Sequence, residues 1–318
     1  MEPKPRGAWL RAEEVRFVVA GGVTAYYGVA CASECAPTDK TRGYACDLNF
    51  DMCRTKARAE LAERLVLKRL GGRLRNSNGM AAHQLLEEAM RHAVLELYER
   101  HCVLLAWHRE LPLEEFHPEP HVHRALQPLL ALARSFNATV RAFESTDPTI
   151  GVPAILCVLV SEEHAGILTS SAASASYKEA LDSAYEELLK QCIYSKLIAR
   201  RSPFAHRPLV ERLESPEDHE AAYASPDIEP EATAFLRTRL RWADRHKTTS
   251  DIRDLTGVAK VEDLTLHSPD PSEWKVVRAS SEQLVALEFG AHRGIMHRDL
   301  LRFGFSETQL AARPHPIG

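Results

Sequence analysis

The chain has 318 residues, 45% of them hydrophobic and 26% charged, with a formal net charge of -4. That length supports one large domain or two small ones with a substantial core, and the slightly acidic balance excludes the basic surface that nucleic-acid binding demands. Cys31, Cys35, Cys46 and Cys53 crowd the N-terminal part of the chain without a Cys-x-x-Cys pair, so the cysteines read as free thiols of a reducing compartment, the cytoplasm.

In chain order, Met1 to Glu14 carries charges of both signs, which predicts no cleavable leader. The run Phe17 to Ala30 is too short, and too broken by Gly21 and Gly22, to span a bilayer. Within it, Val15 to Ala20 predicts a strand. Ala57 to Arg64 then carries Glu60-x-x-Glu63-Arg64 on a helix that stops at Leu70-Gly71-Gly72, because glycine favours a helix end.

Asn76-Ser77-Asn78-Gly79 is a turn, and from Ala82 to Cys102 apolar residues recur at helical spacing with no Pro or Gly. The polar residues of that helix, Glu88, His92, Glu96, Glu99 and Arg100, fall on one stripe with apolar residues on both sides. A helix this apolar is buried, and buried carboxylates need a cation or hydrogen-bond donors. Glu96-x-x-Glu99-Arg100 repeats the upstream pattern. Two helices presenting paired acids to one another would hold a divalent cation through oxygen ligands and leave arginines for phosphate. Two solvated amphipathic helices laced by salt bridges would carry the same five-residue pattern.

Further on, Leu113 to Val122 reads as a surface connection whose His117, His121 and His123 are solvated loop histidines. Pro128 to Arg134 predicts a short helix, Thr139 to Phe143 a strand, and Ala154 to Val160 a buried strand. Ser170 to Ser176 is a small-residue loop leading into a long helix, Tyr177 to Ile198. Ser202 to Pro230 reads as a surface excursion and Glu231 to Lys247 as a helix with a solvated basic face. Val261 to Thr265 and Lys275 to Ala279 are candidate strands separated by Pro269-Asp270-Pro271.

Asn78 to Arg100, continuing through Trp107 to Pro112, resembles the central motif of the YcaO family: a Ser-Asn-Gly turn, an Ala-rich segment, Glu-Ala, Glu-x-x-Glu-Arg and an apolar run ending in Trp. Ala57 to Arg64 resembles that family's first ATP-site helix, Gly151-Val152-Pro153 its Gly-Val-Pro strand, and Tyr177 to Ile198 its third ATP-site helix. The resemblance implies a single α/β domain over 1–318 with mixed β-sheets packed against long helices and an internal pseudo-repeat. Its parts are the first two motif helices in 52–110, a strand region with the third helix in 139–198, and closing strands with a Pro-containing tail in 261–318.

It further implies ATP and Mg²⁺ as cofactors. Glu60, Glu63, Glu96, Glu99 and Glu187 fall on the metal ligands, and Lys56, Arg64, Gln84, Glu88, Arg100 and Lys190 on the nucleotide contacts. The sequence departs from the family where Lys56 replaces a Ser, Gln84 an Asn and Ser183 an Arg, and it lacks an early Lys set between glycines. Family members use ATP to activate a backbone amide oxygen after a nucleophile has added to its carbonyl carbon. The azoline-forming branch ends in Pro-x-Pro-x-Pro, and Arg313 to Gly318 keeps two of those prolines. On this reading Pro316 and Gly318 approach the reacting amide, in a cyclodehydratase that makes thiazolines or oxazolines from Cys, Ser or Thr of a ribosomally made precursor peptide. A separately encoded protein would recognise the leader, a homodimer stays open, and neither nucleic acid nor membrane is a partner. Thioamide or amidine formation, and a non-hydrolysing binding subunit, are the alternatives.

Overall fold

The computed structural model describes residues 9–32, 41–71, 76–109, 113–117, 119–161, 166–198, 223, 241–242, 255, 257–289 and 294–307. Three sheets carry the fold. The first is an antiparallel meander of β1 (Leu10–Ala20), β2 (Val23–Ala32) and β3 (Arg42–Asp47). The second orders β10 (Lys260–Asp263), β11 (Lys275–Ser280) and β4 (Met80–His83). The third runs β8 (Ile167–Ala173), β7 (Ala154–Ser161), β6 (Ala138–Glu144), β5 (Glu114–Phe116) and β9 (Arg241–Trp242).

Helices separate the sheets. Helix α1 (Phe50–Leu70) begins at Asn49, whose side chain accepts the Asp51 and Met52 amides, and ends at Gly71. Small residues let it lie close on the first sheet: Ala30, Ala32 and Ala45 meet Cys53, Ala57, Leu61 and Leu65. Its other side packs Ala62 and Val66 onto Met80, Ala82 and Val276 of the second sheet. Helix α2 (Leu86–Arg109) covers that sheet's far face with Ala89, Ala93 and Leu97, and then turns Val103, Leu104 and Trp107 against Phe143, Leu156 and Val158 of the third sheet. Helices α3 (Leu126–Arg134) and α4 (Tyr177–Ile193) fill the space between the third sheet and the first. The alternating layers of sheet and helix therefore close on themselves, with α5 (Gly294–Arg302) added beside the α2 core.

Several expectations hold, and others are corrected. Ala82 and His83 belong to strand β4, not to the helix, because they pair with Val276 and Lys275 of β11; α2 accordingly starts at Leu86 and runs on to Arg109. Ser170 to Ala173 belong to strand β8 rather than to a loop, being paired to Cys157, Leu156, Ile155 and Ala154. Helix α4 passes at Tyr194 into a π-helical turn, Tyr194–Ile198. Glu115 lies in strand β5 and is buried on Arg141, so the stretch from Leu113 is more than a surface connection. His123 is likewise buried, 2.8 Å from Asp182. Arg241 and Trp242 form a strand where a helix was expected. The remainder of 199–254, Tyr223 aside, and the tail from 308 lie outside the described residues. Among the described cysteines none is paired. The expected internal repeat is not shown by the strand orders.

One buried pair pins α2 to both of its neighbours. The His101 Nε2–Asp147 Oδ2 distance is 3.0 Å, and His101 Nδ1 accepts the Val285 amide at 3.0 Å. The second bond requires Nδ1 to be unprotonated, which sets the proton on Nε2, facing the carboxylate. The contact with His101, with the Thr149 amide and hydroxyl, holds Asp147 at a pKa of about 2 against the opposing effect of burial.

Close approach of α1 to β3 makes Gly43 the least replaceable described glycine, since a Cβ there would sit 1.9 Å from the Ala57 carbonyl oxygen and 2.5 Å from the Leu61 nitrogen. Gly43→Ala is expected to destabilise the protein by on the order of 3 kcal/mol. Gly257→Ala, with nothing within 4 Å, should stay within about 0.5 kcal/mol of the parent. Urea unfolding of the two variants checks the contrast, and equal midpoints would refute it.

Candidate active site

The acids of α1, α2 and α4 face one another where the layers close. On α1, Glu60 Oε1 accepts Arg64 at 2.6 Å and Oε2 accepts the Tyr44 amide of β3 at 2.6 Å. Glu63, one turn on, accepts the Ala82 amide of β4 at 2.7 Å. On α2, Glu96 accepts the Gly79 amide from the turn before β4. Glu99 accepts the Ser171 hydroxyl of β8 at 2.5 Å and lies 3.4 Å from Arg100. On α4, Glu187 holds the Lys190 ammonium at 2.6 Å.

Gly79 is where backbone conformation decides the geometry. Its φ of 71° lies in the left-handed region, and a Cβ would meet the Ala279 carbonyl oxygen at 2.6 Å. Only glycine turns the chain there closely enough to aim its amide at Glu96.

The electrostatics link all five acids. Burial, followed by the charge of Glu96, pushes Glu63 well above the usual carboxylate range. Burial raises Glu96 to about 8, with Glu99 adding to the rise and Arg100 opposing it. Glu99 is raised by burial and by Glu187, against Arg100 and Ser171. Glu187 goes the other way: burial would raise it, but Lys190, Arg100 and Lys56 bring it below the ordinary value. Lys190 is in turn raised, burial notwithstanding, by Glu187 and Glu60. A chain of like-charge repulsion thus runs Glu60, Glu63, Glu96, Glu99, Glu187, with Arg64, Arg100 and Lys190 set along it.

Of the residues expected at the site, the structure brings together the five acids, Arg64, Arg100 and Lys190. Lys56 reaches the margin, bridging Asp47 at 2.7 Å and Glu186 at 2.6 Å. Glu88 does not join them: it is paired with Arg91 at 2.8 Å, on the outer part of α2. Gln84 lies exposed in the turn between β4 and α2. Pro316 and Gly318 lie outside the described residues. Sequence reasoning missed the donors from Tyr44, Gly79, Ala82 and Ser171. Three of these are backbone groups, which no residue type advertises. It also missed a small cavity of about 30 Å³ lined by Arg100, Thr169, Ser171, Glu187 and Gln191, room for about one water.

The donor chemistry fits a hard cation. Glu63, Glu96 and Glu99 offer the oxygen donors that a hard cation takes, and burial, with neighbouring carboxylates, raises the pKa of all three. Among the described residues no three His, Cys, Asp or Glu side chains form a ready metal cage.

Comparison with known proteins decides the family. The model described as YcaO cyclodehydratase, ATP- and Mg²⁺-binding, matches residues 65–270. The chain belongs to this family. The matched stretch includes Glu96, Glu99 and Glu187 and begins just after Arg64. No curated protein sequence matches the chain. Among solved structures, the YcaO protein from Methanopyrus kandleri bound with AMPPCP and Mg²⁺ superposes with a TM-score of 0.59 at 15% identity, covering 88% of this chain and 87% of that one. The E. coli microcin synthetase McbBCD complex contains a chain matching at a TM-score of 0.60 and 12% identity, over 89% of this chain and 91% of that one. A heterocyclase in complex with substrate and cofactor matches at a TM-score of 0.54 and 19% identity over 76% of this chain. This chain spans about a third of that heterocyclase, 33%. At these identities the likenesses establish the YcaO fold: mixed α/β, with several sheets and long helices. No described helix is long and apolar enough to cross a membrane.

The raised acids dictate a pH dependence. A carboxyl whose folded pKa lies above its unfolded one binds its proton more tightly in the native state. Its stabilising contribution is full at low pH and is lost as pH rises between the two values. For Glu96 that window runs from about 4.5 to about 8. In metal-free buffer the Glu96→Gln variant should therefore lose less melting temperature between pH 5 and pH 8 than the parent, as read by thermal unfolding at a series of pH values. Parallel curves would show that Glu96 does not carry the effect.

Proposed function

We propose that this chain is an ATP- and Mg²⁺-dependent cyclodehydratase that forms thiazoline or oxazoline rings from Cys, Ser or Thr residues of a ribosomally made precursor peptide. The observation that carries the reading is the coupled line of five acids drawn from three helices, in a chain of a family described as ATP- and Mg²⁺-binding. Glu63, Glu96 and Glu99 hold the cation, and Arg64 and Arg100 meet phosphate oxygens. Arginine suits that task because its planar fork donates to two oxygens at once. Bound Mg²⁺ supplies neutralisation of the charge that develops during phosphoryl transfer.

In this scheme the attacking group is the peptide's own side chain, so the protein needs no nucleophile. That agrees with five of the six described cysteines: burial raises Cys46, Cys53, Cys102, Cys157 and Cys192 far from thiolate character. The residues of this chain orient ATP and the amide and exclude water, with the tail through Pro316 and Gly318 approaching the reacting amide. A separately encoded protein supplies leader recognition, and the compartment is the cytoplasm. The McbBCD complex and the substrate-bound heterocyclase among the structural matches support a peptide substrate and partner proteins.

A non-hydrolysing binding subunit is the second reading. It is favoured by Lys190, whose ammonium already neutralises Glu187.

Calorimetric titration with AMPPCP tests both. The parent should bind the nucleotide in a Mg²⁺-dependent manner, and the Glu96→Gln, Glu99→Gln double variant should bind at least tenfold more weakly. Absence of binding in folded parent protein would end the ATP-dependent reading. Binding without ATP turnover in the presence of peptide and leader-recognition partner would favour the binding subunit. Removal of 314–318 should abolish ring formation, seen as loss of one water per ring by mass spectrometry, while nucleotide binding persists.

A further inference from the structure

The five acids do not share their surroundings equally. Both oxygens of Glu60 are engaged, by Arg64 and by the Tyr44 amide. Glu187 is engaged by Lys190, and Glu99 stands beside Arg100. Glu63 and Glu96 accept single backbone amides, from Ala82 and Gly79, and among the described residues neither makes an ion pair. The three resident cations, Arg64, Arg100 and Lys190, thus stand beside Glu60, Glu99 and Glu187.

Lys190 is the one of the three on α4. Its side chain is only 23% exposed, its ammonium lies 2.6 Å from Glu187 Oε1, and Glu60 adds to the stabilisation of its charge. A compact ammonium can stand where a small cation would otherwise sit. A metal ion approaching Glu187 would have to displace it and strand a largely buried ammonium without its partner. Lys56 adds to the barrier. It is 2.6 Å from Glu186, the residue beside Glu187, and it is one of the positive charges that Glu187 feels.

We infer that Lys190 is a built-in counter-cation: it occupies Glu187 at the α4 end of the acid line, so that the line takes a single divalent ion at Glu63 and Glu96. This rests on the ATP- and Mg²⁺-binding reading of the same site. Lys190 is a positioning residue, deciding how many ions the acids hold and where, and it is turned toward carboxylate rather than phosphate.

The test counts bound Mn²⁺, a hard oxygen-seeking probe, on AMPPCP-saturated protein by the electron paramagnetic resonance of free Mn²⁺, corrected by a titration of the nucleotide alone. Lys190→Gln should bind one more Mn²⁺ per chain than the parent, whereas Lys190→Arg, which keeps the charge, should match the parent. In the otherwise unaltered protein, Glu187→Gln should leave the count unchanged and Glu96→Gln should lower it by one. Circular dichroism confirms that each variant is folded, and the Glu187 and Glu96 pair keeps the test open should Lys190→Gln not fold. An unchanged count in Lys190→Gln, or a lowered count in Glu187→Gln, would overturn the inference while leaving the ATP- and Mg²⁺-dependent reading intact. A parent that holds no Mn²⁺ beyond that of the nucleotide alone would overturn both.

Discussion

From Ala93 on, helix α2 must bury nearly its whole circumference while carrying Glu96, Glu99 and Arg100, and the rest of the architecture follows from that constraint. Ala89, Ala93 and Leu97 face the second sheet, and Val103, Leu104 and Trp107 face the third. Glu96, Glu99 and Arg100 are left to the seam between those sheets. Charges in such a seam are tolerated only where donors reach them. Two come from structure distant in sequence or outside the helix: the Gly79 amide and the Ser171 hydroxyl. Helix α1 then presents Glu60 and Glu63 across β3 and β4, and α4 adds Glu187 and Lys190.

The resulting site stores unfavourable electrostatics. Glu63, Glu96 and Glu99 repel one another in a region that water reaches poorly, with pKa values raised accordingly. Such an arrangement is stabilised by positive charge brought to it. The fold withstands the repulsion through features set apart from it: the small-residue contact of α1 with the first sheet, and the His101–Asp147 pair that ties α2 to the turn before β7 and to Val285.

The departures from the family pattern acquire a physical sense in three dimensions. Lys56 and Lys190 are each turned onto carboxylates, Lys56 onto Asp47 and Glu186 and Lys190 onto Glu187. Ser183, in the same helix, brings no charge. Lys56 and Lys190 therefore place positive charge on Glu186 and Glu187 of α4, while Arg100 stands beside the acids of α2.

Periodicity and capping by themselves determined the long helices. The run of apolar residues behind Glu60 and Glu63 can only be helical, Gly71 can only end it cheaply, and seven apolar residues from Ala154 to Val160 can only be a buried strand once their length is short and their ends are turns. The repeated Glu-x-x-Glu-Arg made the acids legible, because helical spacing places them on one stripe whatever the fold. Only tertiary structure decided the remainder. Ala81 and Ala82 carry no strand signal and become strand because β11 offers them hydrogen bonds. His123 reads as a solvated loop histidine, yet it is buried because Asp182 comes to meet it. Glu88 belongs to the same helical stripe as Glu96 but leaves the site because Arg91, three residues on, captures it. Spacing along a helix specifies which side chains share a face. Which of them find a charge to meet depends on what the other layers bring across the seam.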